Sequence, residues 1–490
     1  MSHIEAERKY ALERGQAVPD LGSVVRVGEP ETFTLVADYY DTPEYRLLRA
    51  RTTLRRRSGG DDEGWHLKLP LPDGTRLEVH APLGTRVVPE QLRSRVAEIV
   101  ELDPLVPVAT LTTQRTQTPL LREDGTVDAL LAEDQVGAKV DGQVTSWAEV
   151  EVELVEGDFD LLDRIEDVLG QAGIHLASVG SKIANALAEQ LQRQPERLTP
   201  DSPAGDAVTA YLAQQVGVLQ GRANDVRADA PDAVHRSRVA TRRLRSALAT
   251  FARLYDRDRV KALRAELKWH ADELGAPRDA EVLRERLLEL LAAVPDEQVH
   301  PPVAKRLSDS LTQTHDEAHA DLVTSMEKSR YVALHEALID WLVDPPLRKR
   351  AAESAGTLLP DLVAKAVARV ERAAHQAESQ DALEPWHEVR KLAKAARYCH
   401  EALQDVFGDD AVTAAKAWEE VTESLGLLQD TVVAQARIAE VAHDAARAGE
   451  PTRTYDVLIE LERRAAGGAL GAGREALAAA RRAPAIGGQR

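Results

Sequence analysis

Over roughly the first 190 residues, apolar and polar positions alternate with period two in short runs set apart by Pro, Gly and Asp. Runs at 4–10, 31–40, 51–57, 65–71, 75–81, 110–118, 126–134 and 146–155 predict strands, because successive side chains of a strand point to opposite faces. Helical spacing predicts helices over 89–100, 158–171 and 181–192. Many short strands at close spacing predict an antiparallel sheet or barrel. Residues 193–206 carry three prolines and a glycine and read as a linker. Beyond it Leu, Ala and Val recur at helical spacing over 206–227, 232–255, 258–274, 279–293, 301–329, 331–343, 347–377, 384–406, 409–425, 427–448 and 453–465. Residues 466–490, rich in Gly and Ala with scattered Arg, read as a disordered tail. The expected organisation is an α+β chain: a strand-rich domain over 1–192, the linker, an all-helical domain over 207–465, and the tail.

The polar faces of the strands carry the first candidate chemistry. Glu5, Glu7 and Lys9 are each two residues apart, so one strand face holds two carboxylates and an ammonium. Such a face can bind a divalent cation and a polyanion together. Arg55 and Arg57 share a face. Lys68 stands opposite Trp65, Leu67 and Leu69. Arg76 and Glu78 stand opposite Leu77 and Val79. Glu149, Glu151 and Glu153 alternate with Val150, Val152 and Leu154. Arg115, Asp134 and Lys182 are single charges in patterned segments. Strand by strand, each is an ordinary wet face. Together, in a sheet closed with its apolar faces outward, they line a tunnel whose buried charges require partners.

The helical half contains a repeat. From His235, basic residues follow at +3, +7 and +10 (Arg238, Arg242, Arg245), and from His387 at the same offsets (Arg390, Lys394, Arg397). Asp279 lies 44 residues after His235 and Asp430 lies 43 after His387, each with a glycine four residues before it (Gly275, Gly426). These offsets form one stripe on a helix, and the duplication predicts two copies of one helical unit, over about 207–345 and 346–465. Like charges at this spacing repel, and a bound polyanion would offset the repulsion. The aspartates can orient a stripe His or Arg. His315 and His319, one turn apart, read as an exposed helix face before a metal pair. Trp269, Trp341, Trp386 and Trp418 read as bundle core, and Cys399 as packing.

Composition narrows the classes. The formal net charge of -19 argues against a nucleic-acid partner, which makes basic clusters informative. One cysteine excludes an internal disulfide framework. No apolar run approaches the ~18 residues of a membrane span, and the charged start lacks a signal core, so the cytoplasm is the expected setting.

The ordered set Glu5-x-Glu7-x-Lys9, Tyr39-Tyr40-Asp41-Thr42-Pro43, Leu54-Arg55-Arg56-Arg57, Lys68, Arg76-x-Glu78, Arg115, Asp134, Glu149-Val-Glu151-Val-Glu153 and Ser181-Lys182 resembles the CYTH domain of triphosphate tunnel metalloenzymes. The two stripes resemble a CHAD domain, a conserved-histidine α-helical unit. The resemblance implies an eight-stranded antiparallel tunnel that hydrolyses triphosphates, fused to a helical bundle that binds inorganic polyphosphate. It implies that Lys9, Arg55, Arg57, Lys68, Arg76, Arg115 and Lys182 hold the substrate. Glu5, Glu7, Asp134, Glu149 and Glu151, with Glu78 in addition, would hold Mg²⁺ or Mn²⁺. Glu5, Glu7, Lys9 and Lys68 are the catalytic core of that set. His235, Arg238, Arg242, Arg245, His387, Arg390, Lys394 and Arg397 are the implied polyphosphate contacts. Inorganic triphosphate, polyphosphate and nucleoside or thiamine triphosphates are the expected partners, and polyphosphate granules a possible address. Two alternatives stand beside this reading: a polyphosphate-binding protein without turnover, and an adenylate cyclase, for which no adenine pocket is evident.

Overall fold

The computed structural model describes residues 2–13, 15–60, 62–72, 75–177, 181–193, 197–380 and 382–488, with backbone alone for Ser2–Glu5. The chain divides into two units, residues 1–196 and 197–490.

In the first unit the strands are β1 (Ser2–Glu5), β2 (Glu7–Leu12), β3 (Arg26–Val27), β4 (Glu31–Asp41), β5 (Thr53–Ser58), β6 (Gly64–Pro70), β7 (Arg76–Ala81), β8 (Val106–Leu121), β9 (Val127–Val140) and β10 (Gln143–Leu154). All pairings are antiparallel, in the order β1-β7-β6-β5-β4-β8-β9-β10-β2, with β3 adding a short rung on β8. The two edge strands are consecutive in sequence. Only Ala6 separates β1, on β7, from β2, on β10, and its carbonyl still accepts from Leu154 N at 3.0 Å. The N-terminal strand therefore bridges both edges and curls the sheet on itself. Counting β1 and β2 as one bent strand leaves eight long strands and no bare edge.

The outer face is apolar and covered in two places. Helix α1 (Arg46–Arg49) and the short helices α2 (Glu90–Arg93) and α3 (Ala97–Val100) bury Leu54, Trp65, Leu67 and Val79. Helix α4 (Phe159–Gln171), capped by the Asp158 side chain on Leu161 N, buries Tyr10, Leu131, Val150 and Val152. Asp41, within the Tyr-Tyr-Asp-Thr-Pro run, accepts from Thr42, Leu47 and Leu48 N–H groups and fixes the turn into α1. Burial pushes its carboxyl up to about 6 despite those bonds.

The inner face is not charged along its whole length, contrary to the simple tunnel expectation. At one end Ala37, Tyr39, Leu111, Val136 and Ala138 pack against Ile183 and Leu187. These come from α5 (Lys182–Ala186) and the residue that joins it to α6 (Ala188–Gln192). Only the other end remains a charged cavity.

The second unit is helical: α7 (Ala204–Arg227), α8 (Ala233–Thr250), α9 (Arg257–Glu273), α10 (Gly275–Ala292), α11 (Val303–Met326), α12 (Ser329–Val343), α13 (Ala355–Glu378), α14 (Glu384–Glu401), α15 (Gln404–Phe407), α16 (Asp409–Arg447) and α17 (Arg453–Ala480). The stripe helices α8 and α14 pack on each other, each backed by its own partner, α7 or α13. Trp341, Trp386 and Trp418 are core, whereas Trp269 is half-buried under the Arg330 guanidinium, 4.4 Å from its ring. Cys399 is buried. His315 and His319 face inward, toward Asp229 and the Val226 carbonyl, and do not form an exposed face. Among the described residues no helix is long and apolar enough to cross a membrane.

Two expectations are corrected here. The segments 409–425 and 427–448 form one helix, α16, while the first copy breaks between α9 and α10 at Leu274 and Gly275. The first copy has Pro277 two residues past its glycine, and proline cannot continue an i to i−4 ladder. The second copy has Leu428 there. The expected tail is also ordered, since α17 runs to Ala480. Its small residues let it approach α16 closely: a Cβ on Gly473 would lie 2.5 Å from Leu425 Cδ2, and Ala469, Leu477 and Ala480 are core. Gly473→Ala should therefore cost about 1–3 kcal/mol by overpacking. Gly468→Ala, which meets open space, should be neutral or stabilising by up to about 1 kcal/mol. Chemical denaturation of the two variants checks both.

Candidate functional site

The charged end of the tunnel is a cavity of about 260 Å³. Lys9, Arg55, Arg57, Lys68, Arg76, Arg115 and Lys182 all line it, with Glu7, Glu78 and Glu151. Strand register explains the convergence. Glu151 is opposite Lys9, Lys68 opposite Glu78, Arg115 opposite Asp134, and Glu149 opposite Asp134. Lys182 arrives differently, from the first turn of α5, where the Ser181 hydroxyl caps Ala184 N. Glu5 pairs with Arg76 through its backbone, and its side chain lies outside the described residues. Asp134 and Glu149 sit behind the lining, reached through Arg115 and Lys182.

The ion pairs form one network centred on Glu151. Its carboxylate lies 2.5 Å from Lys9 Nζ, 2.5 Å from Lys182 Nζ and 2.6 Å from Arg115 Nη2. Lys182 also meets Asp134 at 2.9 Å and Glu149 at 2.7 Å, while Arg115 grips Asp134 with two bonds of 2.8 and 2.6 Å. Burial opposes the charges on Glu151, Lys9, Arg115 and Lys182, yet the partners prevail. Lys182, Lys9 and Arg115 hold Glu151 well below the usual carboxylate range. Glu151 and its neighbours in turn raise Lys9, Lys182 and Arg115. Glu78 is likewise held low by His66, Lys68 and Arg55 against its burial.

Asp134, Glu149 and Glu151 place one carboxylate oxygen each within 4.8 Å of one another, all buried. An all-oxygen donor set of this kind suits a hard divalent ion. Three carboxylates are balanced here by Lys9, Arg115 and Lys182. A polyanion that drew those cations away would leave the carboxylates uncompensated, and a divalent ion would then restore the balance.

Sequence reasoning passed over Asp62, Glu31 and Gln117 in the lining, and gave no role to Tyr39 or Glu153, which also line it. Parity could have found most of them. Tyr39 sits opposite Arg55, with its hydroxyl 3.5 Å from the guanidinium, and Glu153 sits opposite Glu7. Asp62 is in a loop, where no period applies; its carboxylate meets Arg57 at 2.6 Å.

In the helical unit the stripes split. Arg238, Arg242, Arg390 and Lys394 gather on the facing sides of α8 and α14, close enough to perturb one another. The glycines make room: a Cβ on Gly426 would lie 2.8 Å from Arg390 Nη2, and one on Gly275 3.8 Å from Arg238 Nη2. Asp279 holds Arg238 at 2.8 Å, and Gln429 Oε1 stands 3.1 Å from His387 Nδ1. The Arg242 guanidinium lies 5.7 Å from the Tyr398 ring, with its buried Nε lacking a hydrogen-bond partner among the described residues. His235 sits within reach of Arg242 and Arg278. The last member of each stripe turns elsewhere. Arg397 is neutralised by Glu401 and Glu419, at 2.6 and 2.5 Å, and Arg245 lies near Asp272 and Arg264.

Burial, with Arg242, Arg390 and Arg238, pushes the Lys394 ammonium down to about 7 from 10.5. The cost of charging it in the fold is fully present below pH 7. It fades as pH rises through 7 toward 10.5, so the unliganded protein gains stability in that window. A bound polyanion favours the ammonium. Polyphosphate affinity should therefore fall between about pH 7 and 8.5, and Lys394→Arg should flatten that fall. Isothermal titration at three pH values checks this.

A curled antiparallel sheet with a charged cavity, followed by a duplicated helical bundle with a cationic seam, defines a two-domain class. Residues 3–186 match the CYTH domain and residues 210–439 the CHAD domain. The chain belongs to the family that joins an N-terminal CYTH domain to a C-terminal CHAD domain. The uncharacterized protein Rv2226 of Mycobacterium tuberculosis is 34% identical over 488 residues, 94% of this chain and 93% of its own length. Among solved structures, PptA from Streptomyces chartreusis is 25% identical with a TM-score of 0.46, covering 56% of this chain and 100% of its own. The CHAD domain from the plant Ricinus communis is 23% identical with a TM-score of 0.45, covering 60% of this chain and 96% of its own.

Proposed function

We propose that the tunnel hydrolyses inorganic triphosphate or a related triphosphate, and that the helical unit binds polyphosphate. One observation carries the reading: seven bases and six carboxylates converge on a single cavity. Few uses other than a highly charged anion with a cation explain such a lining. Lys9, Arg115 and Lys182 would release their carboxylates and bind phosphate oxygens. Arg55, Arg57, Lys68 and Arg76 would hold the rest of the chain in line. Glu7, Asp134, Glu149 and Glu151, with Glu78 in addition, would hold Mg²⁺ or Mn²⁺, which when bound neutralises phosphate charge and lowers the pKa of water. The protein's own contribution is positioning and fixed charge. In the helical unit, Arg238, Arg242, Arg390 and Lys394 would hold successive phosphates of a longer chain.

The test is phosphate release from tripolyphosphate, ATP, thiamine triphosphate and long-chain polyphosphate by the full chain with Mg²⁺ or Mn²⁺. Release from at least one, strongly reduced in Lys9→Ala, is expected. Polyphosphate binding without any release would favour the binding-only reading. Cyclic AMP formed from ATP would favour the cyclase. A fully active Lys9→Ala would overturn the site assignment.

A further inference from the structure

Two histidines at the edge of the cavity, beside Glu78, have no part in that reading. His66 and His80 are cross-strand partners on β6 and β7, on the same inner face as Lys68 and Glu78. Their rings lie edge to face, with centroids 4.4 Å apart. Asp62, from the loop between β5 and β6, reaches over both.

The ring nitrogens and the carboxylates face one another. His66 Nδ1 lies 2.8 Å from Glu78 Oε1, and its Nε2 lies 3.2 Å from the Asp62 carbonyl oxygen. His80 Nδ1 lies 3.3 Å from Asp62 Oδ1, and its Nε2 lies 3.6 Å from Glu78 Oε1. Three of the four nitrogens thus lie within 3.3 Å of an oxygen. A neutral imidazole has one N–H and one lone pair, and the lone pair can serve as a metal ligand. The His66 side chain is fully buried. A cation can accept lone pairs of nitrogen and oxygen that meet at one point.

Ligand atoms of Asp62, His66 and His80 lie within 4.8 Å of one another. We propose that Asp62, His66 and His80, joined by Glu78, form a second cation site that takes a first-row transition ion in preference to Mg²⁺. Imidazole nitrogen selects Mn²⁺ through Zn²⁺ over Mg²⁺, which prefers oxygen and retained water. The site thereby differs in chemistry from the all-oxygen group of Asp134, Glu149 and Glu151. It lies on different strands, separated from that group by the N-terminal strand. Asp62 and Glu78 also line the cavity, so an ion held here would stand beside the phosphate-binding bases. The inference does not depend on whether the tunnel turns over.

The test uses Co²⁺, whose visible absorption reports nitrogen ligation and low coordination number. The full chain is stripped with chelator, saturated with Mg²⁺ and titrated with Co²⁺. The wild type should bind one equivalent with a visible band. His80→Gln, whose side chain is 23% exposed in the wild type, should keep its far-ultraviolet circular dichroism and lose at least about tenfold in Co²⁺ affinity. Asp134→Asn should keep the band. No band in the presence of Mg²⁺, or a band equally strong in His80→Gln, would overturn the proposal and leave protonated imidazoles as what fills the cluster. Loss of the band in Asp134→Asn alone would overturn it as well, by assigning the ion to the carboxylate group.

Discussion

Glu151→Gln is expected to lower tripolyphosphate turnover by about 10²–10³-fold while tightening metal-free tripolyphosphate binding. The two effects have opposite signs because Glu151 has two opposing roles. Without ligand it holds Lys9, Lys182 and Arg115 at once, all within 2.6 Å. A phosphate must displace it to reach those cations. An uncharged amide of the same shape removes that competition, so the anion binds more readily. It also removes one oxyanion from the Asp134, Glu149 and Glu151 group, and with it charge that a divalent ion needs. Removing one member of a buried ion pair costs about 3–5 kcal/mol when the partner stays charged, and bound tripolyphosphate should restore much of that loss. Phosphate release, calorimetry without metal, and melting with and without tripolyphosphate read the three effects separately. Unchanged turnover would remove Glu151 from the site. The acid side of the stability profile follows from the same network. The Glu151 carboxyl is held well below its usual range, so the stability it contributes is present above the unfolded value near 4.5. It is lost only as pH falls through the lower folded one.

Arg242→Glu should weaken long-chain polyphosphate binding by about 10²-fold and flatten its salt dependence. After burial, Arg242 depresses both Lys394 and Arg390 more than the neighbouring Arg238 does. Charge-assisted bonds to phosphate are each worth about 1.5–3 kcal/mol, and reversing the charge adds repulsion to the loss. Fewer released counterions give a shallower slope of affinity against salt. The same substitution should stabilise the unliganded protein by relieving repulsion from Arg390 and Lys394. Affinity at two salt concentrations, together with a denaturation curve, checks both signs. Equal affinity in wild type and variant would show that the seam does not hold the anion. Arg397→Ala should leave polyphosphate binding nearly unchanged by comparison, because Glu401 and Glu419 already neutralise that guanidinium.

The limits of the sequence are clearest at particular residues. Lys9, Arg55, Lys68 and Arg76 were legible because each alternates with an apolar neighbour, and alternation puts a side chain on the face opposite the core. His66 and His80 obey the same parity. They stand two residues from Lys68 and Glu78, and the strand pattern places them on the same face. What parity cannot supply is which strands are neighbours, and hence that the two rings touch. Arg245 and Arg397 fail in the other direction. Their offsets belong to the stripe, but Asp272 lies near one, and Glu401 and Glu419 pair with the other. The second half of α17, residues 466–480, was missed because glycine has poor helix propensity. Packing of Gly473 on Leu425 overrides that propensity, and no local window contains it.

The sequence by itself determined the two architectures and the repeated stripe, and it pointed to seven bases that line the cavity. Periods of 2 and 3.6 are local properties of the backbone and appear wherever one face is buried. The tertiary structure decided the rest. It placed both sheet edges on one N-terminal strand and sent α5 into half of the inner face. It centred three cations on Glu151 and drew four cations of two distant helices into one seam. It also brought two histidines and an aspartate within ligand distance of one another. These are matters of pairing between residues far apart in the chain. Charge compensation in a buried site depends on distance in space, which a single sequence does not state.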